Sequence, residues 1–243
     1  MIELKKISTS PDPHTKKKQA EKETERLKDD IFLLQDKLYA ERKHGVLIVL
    51  QGMDAAGKDG TIRHVFSCVN PMGCTVRSFK TPTDEEASHD YLWRVHPHVP
   101  AKGMIGIFNR SHYEDILFPS VHKTVEKKTL DRRYNAINHF EEYLVENGIV
   151  LLKFFLHISE EEQKKRIKER LHESYKHWKY SASDSKEEKY WNDYMKVYER
   201  IIAQCSPEIP WLIVPADHRW YRNYFVAKEI AKTLKKLKSK YPS

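Results

Sequence analysis

The sequence predicts an α/β fold in which a parallel sheet lies between helices, and two observations carry that expectation. Short runs rich in β-branched and aromatic residues alternate with longer amphipathic stretches, the pattern of strand–helix–strand units. The first run, Val46-Leu47-Ile48-Val49-Leu50, is apolar without interruption, as a strand buried on both faces must be. A length of 243 residues with 40% hydrophobic content allows a substantial core, while eight Gly and eleven Pro exclude a collagen-like or low-complexity chain. No repeat or linker divides the chain, so residues 1–243 read as a single domain with helical appendages.

The elements follow in order. Residues 14–43 are highly charged, with Leu27, Ile31, Leu34 and Leu38 at three- and four-residue intervals, which predicts a long amphipathic helix ending at Gly45. Strands are expected at 46–50, 75–79, 104–108, 149–157 and 211–214. Thr83 or Asp84, followed by Glu85 and Glu86, caps a helix expected over 85–95, and His96-Pro97-His98-Val99-Pro100 stops it. A further helix is expected over 129–147, before Gly148. From 159 to 177 the pattern is helical and charge-rich, 179–185 is a polar loop, and 186–205 resumes as helix. The stretch 159–185, placed after the fourth strand, is a candidate helical lid.

Composition narrows the setting. The longest apolar run, 148–158, is interrupted by Lys153 and His157, and the N-terminus has no signal-like apolar core, so a cytoplasmic protein without membrane contact is expected. Cys68, Cys74 and Cys205 form no paired spacing, which argues against a disulfide framework or a zinc site. A net charge of +8 and a pI near 9.1 suit a polyanionic partner without choosing one. Most of that charge is local: residues 218–243 hold eight cations against Glu229 alone. Val226, Ile230, Leu234 and Leu237 make an apolar stripe there, so most of the lysines read as the solvent face of a terminal amphipathic helix.

Directly after the first strand the chain reads Gly52-Met53-Asp54-Ala55-Ala56-Gly57-Lys58-Asp59-Gly60 and then turns helical. Gly-x₄-Gly-Lys between a buried strand and a helix is a P-loop. The backbone of Gly52, Ala55, Ala56, Gly57 and Gly60 would cradle phosphate, and the Lys58 ammonium would reach the terminal phosphates. Asp59 stands where a Ser or Thr usually ligates Mg²⁺, and Asp54 puts a carboxylate where it would repel phosphate. Mg²⁺ bridging Asp54 to phosphate oxygens resolves the conflict. Asp54 is the favoured ligand and Asp59 the rival, unless Asp59 simply favours the helix N-terminus.

The third strand ends in Asn109-Arg110-Ser111-His112-Tyr113-Glu114-Asp115. Ligands sit at the carboxyl ends of strands in such sheets, so Arg110 is a candidate to stabilise a transferring phosphoryl group; the competing reading pairs it with Glu114 or Asp115. Asn109 occupies a place where a metal-binding Asp is common, which again points the metal toward Asp54. Of Arg77 and Lys80, strand alternation lets only one reach the crevice. Arg166 and Arg170 share one face of the lid helix, with Lys176 and Lys179 following. They grip phosphates on closure or, with Glu162 and Glu169 nearby, are an ordinary solvated face.

With these motifs placed, the sequence resembles the polyphosphate kinase 2 family. The matching segments are LQDKLYAERKHGVLIVLQGMDAAGKDGTIRHVF, FKTPTDEEASHDYLWRVHPHVPAKGMIGIFNRSHYEDIL, EEQKKRIKERL with KHWKYSASD, and PWLIVPADHRWYRN, reaching from about residue 27 to residue 223. The resemblance implies a P-loop NTPase-like fold with a lid, and a Mg²⁺-assisted, reversible phosphotransferase acting between inorganic polyphosphate and nucleotides, AMP to ADP and ADP to ATP. It places the family's loop aspartate and lysine on Asp54 and Lys58, its strand-end arginine on Arg110, and its lid cations on Arg166, Arg170, Lys176 and Lys179. Adenine nucleotides are the implied acceptors, with guanine left open, and a homo-oligomer, dimer or tetramer, is the implied assembly. The Asn-Arg-Ser start of the third-strand motif is similar to that of members accepting both AMP and ADP. Two alternatives share the P-loop: an ATP-dependent nucleoside or nucleotide kinase, and a non-catalytic nucleic-acid-binding protein. The second draws on five Trp and thirteen Tyr among basic residues, although Trp93, Tyr194 and Phe225 fall at helical core spacings.

Overall fold

Five parallel strands in the order β2-β3-β1-β4-β5 form the centre of the computed structural model, which describes residues 2–172, 187–205 and 208–242. They are β1 (Gly45–Gln51), β2 (Cys74–Ser78), β3 (Ile105–Asn109), β4 (Ile149–His157) and β5 (Trp211–Pro215). Every residue of β1 is buried, as its unbroken apolar run requires. β1 lies between β3 and β4, with Leu50 level with Asn109 on one side and Phe154 on the other. The strand order reverses beside β1, and at such a switch point the connections leave in opposite directions and open a crevice at the carboxyl ends. The P-loop and Arg110 both lie there.

The helices are α1 (Lys17–Glu41), α2 (Lys58–Val65), α3 (Asp84–Ser88), α4 (Glu114–His122), α5 (Lys127–Glu146), α6 (Glu160–His172), α7 (Trp191–Gln204) and α8 (Arg219–Leu237). The stripe of α1, with Leu27, Ile31 and Leu38 buried, packs along α8, whose Val226, Ile230 and Leu234 are buried. Lys235 to Asp30 at 2.7 Å and Tyr241 to Asp36 at 2.9 Å reinforce this pairing of distant segments at its edge. No described helix is long and apolar enough to cross a membrane.

Several boundaries shift by one to three residues, among them the start of α1 at Lys17 rather than 14 and α5 at Lys127–Glu146 rather than 129–147, and two helix ends have an identifiable cause. α1 ends at Glu41, because Arg42 takes the left-handed conformation (φ 55°) and donates its N–H to Leu38; Gly45 instead opens β1. α3 starts as expected, with a reciprocal capping box between Thr83 and Glu86, but stops at Ser88 rather than 95. The cause is Asp90, whose carboxylate accepts the N–H groups of Leu92 and Trp93, a local turn that competes with the helix. Trp93 is therefore not a helical core residue. It is exposed and stacks on His89 with ring centroids 4.1 Å apart.

One polar cluster lies inside the core. Lys153 on β4 donates to Glu141 of α5 at 2.5 Å, to the Cys205 carbonyl at 2.6 Å and to the Tyr113 hydroxyl at 3.2 Å. Glu141 also accepts from Tyr113 at 2.7 Å and meets His112 at 3.2 Å. Burial pushes the Glu141 carboxyl up, but His112 and Lys153 outweigh it and hold it below its ordinary value. Apart from His112 Nδ1, which has no hydrogen-bond partner among the described residues, the cluster is satisfied, and removing Glu141 leaves the buried Lys153 charge alone. Glu141→Ala is therefore expected to cost about 3–5 kcal/mol in denaturant unfolding. Because the native carboxyl has the lower pKa, the stability its ionisation contributes is full above pH 4.5 and is lost as pH falls through the native value. The deficit of the variant should shrink correspondingly in acid.

Candidate active site

The P-loop is a backbone problem solved by local sequence. Gly52 has φ 150°, Ala55 60° and Gly57 101°, so the chain repeatedly enters a region that side chains disfavour. A Cβ on Gly52 would lie 2.7 Å from the Leu156 carbonyl oxygen, and one on Gly57 1.9 Å from Arg222 Nη1. Glycine is required at both positions for conformation and at Gly52 also for space, since backbone blocks a Cβ there, whereas at Gly57 the Arg222 guanidinium would have to move. Gly57 caps α2 with no side-chain hydrogen bond, so the first N–H groups of α2 keep their capacity for an anion.

The carbonyls of this loop are taken by cations. Lys58, 8% exposed, donates to Gly52 O at 2.7 Å and Met53 O at 3.2 Å. Arg166 donates to Ala55 O at 3.1 Å and Ala56 O at 3.2 Å, and also to Ala216 O and Asp217 O at 2.8 and 2.7 Å. Arg222 of α8 donates to Ala56 O at 3.2 Å. Arg166, 5% exposed and paired with Glu162 at 2.8 Å, is thus not a solvated lid cation; it lines the cleft and fastens the P-loop to the end of β5. In the sequence Arg222 stands out only as one cation of a basic terminal segment and as part of PWLIVPADHRWYRN; the structure adds its place against the P-loop. The signal existed: Arg222 stands four residues before Val226, on the same stripe as Ile230 and Leu234, so it had to face inward.

Asp54 and Arg110 meet across the crevice. Arg110 Nη2 donates to Asp54 Oδ1 at 2.5 Å and Nη1 to Glu114 Oε2 at 3.1 Å. Arg110 thus faces the P-loop and also makes one of the ion pairs weighed from sequence; Asp115 pairs with Arg94 instead, at 3.0 Å. Arg110 is itself left-handed (φ 63°), and its N–H is held by Leu50 O at 3.1 Å, which turns the chain at the end of β3 toward β1. Glu114 foremost, together with Asp54, holds the Arg110 guanidinium charged. Burial pushes the Asp54 carboxyl up, but Arg110, Lys58 and Arg170 outweigh it, so it lies below its ordinary value. Burial, then Arg110, lowers the Lys58 ammonium to about 8 despite Asp54, Glu114 and Asp59. Asp59 accepts from Asn109 Nδ2 at 2.8 Å, tying the start of α2 to the end of β3.

A cleft of about 1870 Å³ runs over these groups, lined by Asp54, Lys58, Arg110, Arg166 and Arg170 at one end and continuing past Lys80. Arg77 does not line it and faces Glu86 at 3.6 Å. Gly57, Asp59 and Gly60 line it as well; Gly52 and Ala56 lie behind its surface. Lys176 and Lys179 lie outside the described residues, as does the second half of the expected lid. No group of three or more His, Cys, Asp or Glu side chains arranged for a metal occurs among the described residues.

The chain as a whole is similar to known proteins. The family model for polyphosphate kinase 2 matches residues 14–242. An AMP/ADP-polyphosphate phosphotransferase from Meiothermus ruber is 49% identical, over 86% of this chain and 79% of that protein. An ADP-polyphosphate phosphotransferase from Rhodopseudomonas palustris is 43% identical, over 99% of this chain and 88% of the other. The crystal structure of polyphosphate kinase 2 from Arthrobacter aurescens TC1 superimposes on all of this chain and 88% of that one, with a TM-score of 0.96 at 40% identity.

The lowered Lys58 pKa yields a pH test. Above pH 8 the free protein loses this proton, whereas a phosphate chain favours the charged form. Affinity for inorganic tripolyphosphate, measured by calorimetry, should therefore fall as pH rises above 8, by up to about tenfold per unit, and Lys58→Arg should flatten the profile. Stability of the ligand-free protein moves oppositely, rising with pH between 8 and 10.5, where the unfolded chain binds the extra proton.

Proposed function

Because the chain belongs to the polyphosphate kinase 2 family, we propose that it moves a phosphoryl group reversibly between inorganic polyphosphate and AMP or ADP. The observation that carries the reading is the convergence of Lys58, Asp54 and Arg110 on one P-loop at the switch point of the sheet. The relatives named for AMP and ADP support both acceptors.

In this reading an oxygen of the acceptor phosphate attacks the terminal phosphorus of the chain as the bridging P–O bond breaks, leaving a polyphosphate one unit shorter. The acceptor oxygen is already anionic at neutral pH, so no general base is required, and catalysis consists of positioning and charge neutralisation. Lys58 exchanges the carbonyls of Gly52 and Met53 for phosphate oxygens. Arg110, fixed by Glu114 and Asp54, meets the charge that develops on the transferring group. Its rigid two-point anchorage keeps the guanidinium aimed without a search through rotamers. Lys80 and Arg170, which line the same cleft, extend the cationic path for the chain.

Mg²⁺ fits this donor set in one way. Asp54 has one oxygen on Arg110 and no hydrogen bond to the other among the described residues, while Asp59 is engaged by Asn109. A single carboxylate with phosphate oxygens and water is an ordinary Mg²⁺ environment, so Asp54 would hold the ion. When bound it would act as a Lewis acid on the phosphate oxygens.

The decisive assay supplies ADP or AMP with polyphosphate as the only phosphoryl donor; formation of ATP or ADP is expected, and a requirement for ATP would establish the ordinary kinase instead. Lys58→Ala should lower turnover by about 10³-fold or more with an unchanged circular dichroism spectrum. Near-full activity in that variant would overturn the assignment. Asp54→Asn should raise the Mg²⁺ concentration for half-maximal rate by about tenfold or more, and an unchanged Mg²⁺ dependence would remove the metal role.

A further inference from the structure

Among the described residues, Arg222 has hydrogen-bond acceptors around it but no carboxylate partner. The side chain is buried, 3% exposed, and its hydrogen bonds run to Ala56 O and to Asn223 Oδ1. None of the ion pairs among the described residues includes it, and the charged groups whose fields reach it, Arg166 and Arg219, are both cations. Each of those has its own carboxylate, Glu162 and Glu169 respectively. Burial first, then these two neighbours, pushes the Arg222 pKa down to about 9.

An uncompensated guanidinium inside a protein is strongly unfavourable, and packing alone does not call for one, since an apolar side chain would continue the stripe of α8. Its placement shows what the charge is for. Arg222 lines the cleft. A Cβ on Gly57 would meet Nη1 at 1.9 Å, and one on Gly60 would meet Nη2 at 3.3 Å. The guanidinium therefore lies against the phosphate-binding loop itself, in surroundings that screen its field poorly.

We infer that Arg222 is a positioning residue whose missing counter-ion is the bound phosphate chain: it holds the Ala56 carbonyl outside the loop and supplies a buried positive field that an anion in the P-loop balances. The inference rests on the functional reading above. It makes the ligand-free protein carry an electrostatic strain that ligand removes, so part of the affinity comes from a cation that does not touch the ligand. Ala56 O also receives Arg166 at 3.2 Å, so loss of Arg222 does not leave that carbonyl without a donor.

The test compares wild type, Arg222→Met and Arg222→Lys by thermal unfolding without ligand and by calorimetric titration with inorganic tripolyphosphate. For Arg222→Met we expect an unfolding temperature equal to or above that of wild type, because the strain is removed, and a Kd raised by about tenfold or more. Arg222→Lys should bind between the two. A merely structural arginine behaves oppositely, with Arg222→Met unfolding at lower temperature and binding tripolyphosphate normally once folded; either result overturns the inference. Failure of Arg222→Met to fold is the extreme of the first result and overturns the inference in the same way, as does an Arg222→Lys variant that folds and keeps the charge yet loses about tenfold or more in affinity. Wild type that fails to bind tripolyphosphate overturns the functional reading and this inference together, whereas normal binding by wild type and Arg222→Met alike overturns this inference alone.

Discussion

A loop that presents N–H groups to an anion must send its carbonyls somewhere else. This constraint organises the molecule. Ala55 and Gly57 adopt left-handed conformations to make the loop, and the carbonyl oxygens of Gly52, Met53, Ala55 and Ala56 are then collected by Lys58, Arg166 and Arg222. Unsatisfied, buried carbonyls would cost enough to collapse the loop into another turn. Two of the three cations come from helices far along the chain, so the sheet, α6 and α8 are all committed to holding nine residues in one shape.

The second organising feature is the chain of alternating charge from Glu114 through Arg110 to Asp54. Without ligand, the cations on the cleft wall are partly neutralised by carboxylates, which keeps a cationic crevice from repelling itself apart. The arrangement is still asymmetric. Asp54 and Glu114 serve Arg110, whereas Lys58 leans on carbonyls, which compete poorly with phosphate for an ammonium. Lys58 is therefore free to exchange partners while Arg110 stays aimed.

Much of the architecture was legible because single segments dictate it. The uninterrupted 46–50 run could only be a central strand, and Gly-x₄-Gly-Lys directly after it located the crevice. The length of α3 was not legible from its cap and acidic first turn, because a carboxylate six residues past the N1 position offered the backbone a better local partner. The arginines failed for a related reason. Arg166 and Arg222 hydrogen-bond to carbonyls, which every residue possesses, so no partner residue type in the sequence marks them as buried. Counting charge by segment dissolved Arg222 into a basic helix, although its register with Val226 identified its face. Glu162 in turn looked like the sign of a solvated helix, whereas it pairs with the buried Arg166; Glu169 does lie on a solvated face, in an exposed pair with Arg219.

The bond between Arg222 and Ala56 spans 166 residues, and α8 that carries it is clasped by α1 from near the other end of the chain. During synthesis the P-loop leaves the ribosome long before the helix that completes it, so β1 and α2 wait with their carbonyls in water rather than in their final grip. Contacts closed over such a separation form late in folding. The anion site is then finished only once α8 has docked, and a nascent or truncated chain carries the motif without the means to hold its shape.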